Sequence, residues 1–212
     1  MSARPDSVAN LPLVRVLNNI VLRLAKGLGQ SVSAVSIYDG ELEDLSAVIR
    51  VFPACWVTYL GCPKTEHIDT RRKTRRIWPK FGVMVGTQSQ RANGSAALTG
   101  GPVLQEVGAA TLLYMVAHLL AGQTFGLGIR PLQHIRDHVI TQQKLNNQGC
   151  AIYSVEFATS WIEQELADGE WPMNTPGNLF AAYHGKTDQA DPDMTDVHLS
   201  TGPLEATIHL QE

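Results

Sequence analysis

Asn146-Asn147-Gln148-Gly149 separates two runs of chain, 131–143 and 150–161, and this arrangement limits the fold more than any other stretch. The tetrapeptide is built of turn formers. Beyond it, Ala151, Tyr153, Val155, Phe157 and Trp161 alternate with Ser154, Glu156 and Ser160. A period of two puts the first set on one face of a strand and the second on the other. The reading is an antiparallel hairpin with one apolar face.

The rest of the chain supplies partners for it. Residues 54–60, ACWVTYL, read as a buried strand rich in aromatic and β-branched residues. In 80–89, Phe81, Val83 and Val85 alternate with small or flexible residues, which again predicts a strand. Residues 32–38 form a shorter strand closed by Asp39-Gly40. Residues 11–26 have helical periodicity, with Val14, Leu17, Val21 and Leu24 on one stripe and Arg15, Asn18, Asn19, Arg23 and Lys26 opposite. Asn10 is the expected cap, Pro12 fits a first turn, and Gly27 and Gly29 end the helix. A second helix is expected over 41–52, where Leu42, Leu45, Val48, Ile49 and Phe52 recur at helical spacing and Pro53 stops it.

The longest helix is expected at 103–121, apolar nearly all round and so covered on most sides. Its Gly108, Ala109 and Ala110 permit close approach of a neighbour. Residues 92–102 read as a turn-rich connection. LFAAYH (179–184) and EATIHL (205–210) read as strands of a peripheral region containing Asp188, Asp191, Asp193 and Asp196. The order predicts an α+β fold, a mostly antiparallel sheet flanked by helices. The expected division is a domain over 1–185 and an extended acidic C-terminal arm over 186–212.

The chain has 212 residues, 44% hydrophobic and 17% charged, enough for one domain with a proper core. Its 17 basic and 20 acidic residues give −3. Without residues 71–76 the balance is 12 against 20, or −8, so the basic charge is concentrated in TRRKTRRIW (70–78). Cys55, Cys62 and Cys150 have no framework spacing and read as small buried hydrophobes in a reducing compartment. The first ten residues lack a signal-peptide layout, and the apolar run 107–121 is shorter than a bilayer span. The expectation is a soluble protein made in the cytoplasm.

Catalytic, cofactor and metal sites are all expected to be absent. His134 and His138 lie in a segment read as a strand, where they would share one face but stand four residues, about 13 Å, apart, too far to share an ion. Asp191, Asp193 and Asp196 lack the later glycine and glutamate of a calcium loop. GQTFGLG (122–128) follows a helix, whereas a phosphate cradle needs strand, loop, then helix, so it reads as a helix stop. No nucleophile elbow is present.

The one functional feature is the basic run. Lying between two strands, it reads as a long charged hairpin loop. Arg71, Arg72, Lys73, Arg75, Arg76 and the aromatic Trp78 are the candidate protein-interface residues, arginines pairing with carboxylates across an assembly. The competing readings are a solvated loop and a phosphate contact. A dedicated duplex binder spreads positive charge over a whole face, which the acidic remainder disfavours.

Two stretches carry a resemblance. IYDGELEDLSAVIRVFPACWVTYLG (37–61) and NNQGCAIYSVEFATSW (146–161) resemble the Mu-like bacteriophage proteins named for gene thirty-seven. The order of elements follows that family over about residues 10–185. The resemblance implies a tail terminator in the phage tail or neck. Such α+β subunits form a homo-oligomeric ring, usually hexameric, that caps the tail tube protein and ends tail growth. The ring offers a surface to the head–tail connector protein and, in contractile tails, holds the sheath protein, while DNA passes through the lumen without specific binding. The alternatives are another neck or completion protein, or a nucleic-acid-binding accessory protein using the basic loop.

Overall fold

The computed structural model describes residues 11–40, 49–89, 94–101, 107–145, 148–175, 178–188, 196–201 and 204–209. Residues 8–165 form one compact unit, and the chain from Leu166 onward belongs to a second.

The first unit begins with helix α1, Pro12–Leu28, followed by strand β1, Ala34–Ile37, and β2, Ala54–Tyr59. Short strands β3, Thr65–His67, and β4, Thr74–Ile77, precede the long β5, Lys80–Ser89. Two helices come next, α2, Gly94–Thr99, and α3, Ala109–Leu120. The hairpin β6, Gln133–Leu145, and β7, Gln148–Ala158, leads into β8, Trp161–Gln164. Five strands form the main sheet in the order β1-β2-β5-β7-β6, parallel only at β1–β2. The α+β, mostly antiparallel fold expected from the sequence is therefore the observed one.

Alternation along the strands divides the sheet into two apolar faces. Cys55, Val57, Phe81, Val83, Val85, Val155 and Phe157 pack against Val16, Ile20, Leu24 and Leu28 of α1 and Leu112, Val116 and Leu120 of α3. The opposite face buries Ala54, Trp56, Met84, Cys150 and Ile152 with Phe52. Thr87, fully buried, donates from its hydroxyl to the Ala97 carbonyl at 2.8 Å and ties α2 to β5.

Several expectations need correction. The buried stripe of α1 is Val16, Ile20, Leu24 and Leu28, flanked by half-buried Leu17 and Val21. The helix is apolar over a wide arc, so its sequence does not mark the centre of the buried stripe. Gly29, with φ 52°, ends α1, whereas Gly27 lies inside it. A Cβ on Gly27 would lie 2.6 Å from both Leu119 Cδ atoms, so this glycine leaves room for the Leu119 side chain of α3 against α1. Among the described residues α3 is shorter than α1 and covered on one side only, with Tyr114 70% exposed and stacked on His118. Gly108 does permit close approach, since a Cβ there would strike the backbone of Gly100 and Thr99. Residues 94–99, expected to be irregular, are helical. The expected cap Asn10, the segment 41–48 of the expected second helix, and Asp191 and Asp193 lie outside the described residues.

In the second unit, LFAAYH is not a strand. Leu179–Ala182 is a short helix, α4, because the Asn178 side chain accepts hydrogen bonds from the Phe180 and Ala181 amides and caps it. The Asp188 carboxylate accepts from the Asn174 amide at 2.6 Å, and the Asp188 amide donates to the Pro172 carbonyl. Strands β9, Asp196–Thr201, and β10, Leu204–His209, pair as an antiparallel hairpin, in agreement with the strand expected at 205–210.

Candidate functional site: a braced basic hairpin

The segment between β2 and β5 is not one long loop. Those two strands pair directly, and residues between them build part of a second sheet, β3-β4-β8. Its register sets His67 opposite Arg75 and Arg75 opposite Glu163, so three functional side chains share one face. Arg75 donates through Nη2 and Nε to one Glu163 oxygen, at 3.0 and 3.3 Å, and its Nη1 lies 3.4 Å from Glu165. The other Glu163 oxygen accepts from the Trp161 indole at 3.0 Å. Hydrogen bonding to Glu163 is the main reason the Arg75 pKa is raised above its ordinary value. On the opposite face Lys64 and Arg76 stand over the Trp78 ring, at 4.6 and 5.9 Å from its centroid.

The run therefore divides. Arg75 and Arg76 are strand residues in contacts within this sheet. Arg71, Arg72 and Lys73 form the tip of the β3–β4 hairpin, exposed and without an ion-pair partner among the described residues. Asp69 holds the tip in shape: its carboxylate accepts from the Lys73 and Thr74 amides at 3.2 and 3.1 Å, and its carbonyl accepts from the Arg72 amide. Arg72 is left with φ 52°, in the left-handed region that non-glycine residues rarely adopt. The geometry presents three cations on a braced turn.

The sequence reading missed the bracing residues His67, Asp69, Glu163 and Glu165. Neither TRRI nor WIEQ carries an apolar/polar alternation that marks a strand, and the pairing of Arg75 with Glu163, 88 residues away, is a matter of register.

A second charged cluster lies on the main sheet. Glu156, 4% exposed, accepts from Arg136 at 2.7 Å and lies 3.6 Å from His138 and 4.0 Å from Lys80. The Arg136 hydrogen bond chiefly holds its carboxyl below the usual range. His134 and His138 are in a strand, as expected, but not on one face. A bulge at Ile135 sets His134 opposite Phe157 and His138 opposite Ser154. His134 then pairs with Asp137 at 2.7 Å, and His138 with Glu156. No group of three metal-binding side chains occurs among the described residues.

The cysteines are free, and two of three match expectation. Cys55 and Cys150 are buried, which pushes their thiols up to about 12 and about 11, whereas Cys62 is exposed. Gly122, with φ 78°, turns the chain after α3 as a helix stop requires. No described helix is long and apolar enough to cross a membrane.

Against known proteins, residues 12–162 match the family model described as Bacteriophage Mu, Gp37. The match spans α1 through the first two residues of β8, and so contains the main sheet and the β3–β4 hairpin with its tip, and ends just before Glu163. Among curated proteins none matches the chain.

Proposed function

The chain belongs to the Bacteriophage Mu Gp37 family, and on that premise we propose that it is a tail terminator. Membership makes it a bacteriophage structural, tail-related protein and implies a non-enzymatic role in the virion. In the proposed role, copies close into a ring, six-membered by the resemblance, that caps the last ring of the tail tube. The ring stops tail growth and offers the head connector its docking surface. Where the tail is contractile, it also holds the last sheath ring.

The observation that supports a contact role is the division of the basic run. Arg75 is consumed within the sheet, while Arg71, Arg72 and Lys73 project from a turn held by Asp69. Holding the turn reduces the ordering cost of a contact. A cationic tip of this kind complements an acidic surface on the tube, sheath or connector, and charged pairs at such a rim set specificity and encounter rate.

The test is a phage carrying Arg71→Glu and Arg72→Glu. The proposal expects overlong tails or heads left unjoined. Normal virions from that phage would sink it. Arg75 is unsuitable for this test, because its reversal also perturbs the β3-β4-β8 sheet.

A further inference from the structure

Charge is divided unevenly between the two units. Residues 8–165 carry 15 basic and 11 acidic side chains, or +4. The other unit, residues 1–7 with 166–212, carries 2 basic and 9 acidic, or −7, and all of that net charge lies in 166–212. The acidity of this protein is thus a property of its C-terminal portion. That portion also leaves large apolar side chains in water: Trp171 is 51% exposed, Met173 68%, Phe180 51% and Tyr183 60%. Exposed aromatic groups are the anchors typical of a docking surface, and carboxylates beside them can serve as its polar, charge-complementary rim.

The first unit offers the matching surface. Helices α1 and α3 contain Arg15, Arg23 and Lys26 and no carboxylate. Between them runs an open groove of about 420 Å³, floored by Leu119 and Phe125 and edged by Leu22, Arg23 and Lys26. Leu22 is 56% exposed, outside the buried stripe of α1. Arg23 is fixed along the groove wall by donating from Nε to the Leu119 carbonyl at 2.5 Å. An apolar floor with cations along one edge suits a segment that presents aromatic side chains and carboxylates together.

We propose that this groove receives the C-terminal unit of a second copy of the chain, its aromatic side chains on Leu22 and its carboxylates facing Arg23 and Lys26. The inference rests on the ring reading and deepens it by naming the contact that joins neighbours. A groove on one copy and an acidic unit on the next make a head-to-tail contact, the kind that closes into a ring when its rotation allows.

Two measurements on the full chain test this. In sedimentation velocity, Leu22→Glu with Lys26→Glu should weaken self-association about tenfold or more, since it removes apolar contact and reverses a charge. The Arg71→Glu, Arg72→Glu chain should associate like the wild type. In the second, carbodiimide coupling of mixed light and heavy-isotope wild-type chains should join Lys26 to carboxylates of 166–212 across copies. Unchanged association of the first variant, or coupling only within a single copy, overturns this inference and leaves the ring reading standing. A wild-type chain that stays monomeric overturns both. Should the groove variant fail to fold, the coupling experiment on wild-type protein decides.

Discussion

Replacing Arg75 with alanine should destabilise the protein, whereas reversing both tip arginines should not. Arg75 loses two ion pairs, to Glu163 at 3.0 Å and Glu165 at 3.4 Å, all three side chains being about one third exposed. Pairs so open to solvent contribute about 0.2–1 kcal/mol each, which gives roughly 1 kcal/mol for the two. Arg75→Glu adds repulsion from both carboxylates, about 1 kcal/mol for each at about 4 Å in water, and raises the loss to roughly 2–3 kcal/mol. At a urea dependence of about 2 kcal/mol/M, Arg75→Ala lowers the unfolding midpoint by about 0.5 M and Arg75→Glu by about 1–1.5 M. Arg71 and Arg72 are exposed and unpaired among the described residues, so their double reversal stays within about 0.5 kcal/mol, or about 0.25 M. Urea unfolding followed by tryptophan fluorescence reads all three, with Trp161 and Trp78 in or beside the sheet concerned. An unchanged midpoint for Arg75→Ala, or an equal drop for the tip variant, would refute the division of the run into bracing and free cations.

Further outcomes follow from the same geometry. Gly108→Ala puts a methyl group against the backbone of Gly100 and Thr99 and should cost about 1–3 kcal/mol in thermal unfolding. Phe157→Ala, fully buried between the sheet and its helices, should cost about 3–5 kcal/mol and leave little folded protein by circular dichroism. Glu156→Gln should cost about 1–2 kcal/mol at pH 7. Because its folded pKa is depressed, Glu156 contributes fully above the unfolded value of about 4.3. Its contribution disappears as pH falls through the folded pKa, so the gap between wild type and variant should close under acid. In the native state a thiol reagent should label Cys62 rapidly and leave Cys55 and Cys150 unmodified, as mass spectrometry would show.

The strands of the main sheet were legible because their alternation is local. Tyr153, Val155 and Phe157 announce a face in five residues of chain. Pairing is not local, and it decided most of what the sequence left out. The bulge at Ile135 separates His134 from His138, and no residue-level pattern in QHIRDH marks it. Arg75 reads as one of five equivalent cations until β8 is laid beside β4. Residues 179–184 read as a strand on composition, yet the Asn178 cap favours one helical turn, a contest between weak propensities that local hydrogen bonds decide. The groove between α1 and α3 lies on surfaces contributed by residues about 100 apart, so neither helix shows it alone.

The central claim is termination of the tail by this protein, and the most direct measurement is negative-stain electron microscopy of particles from a phage lacking the gene. Overlong or ragged tails and unattached heads are the expected result. Tails of normal length with unattached heads would contradict termination and assign the protein to the connector instead, and intact virions would contradict both.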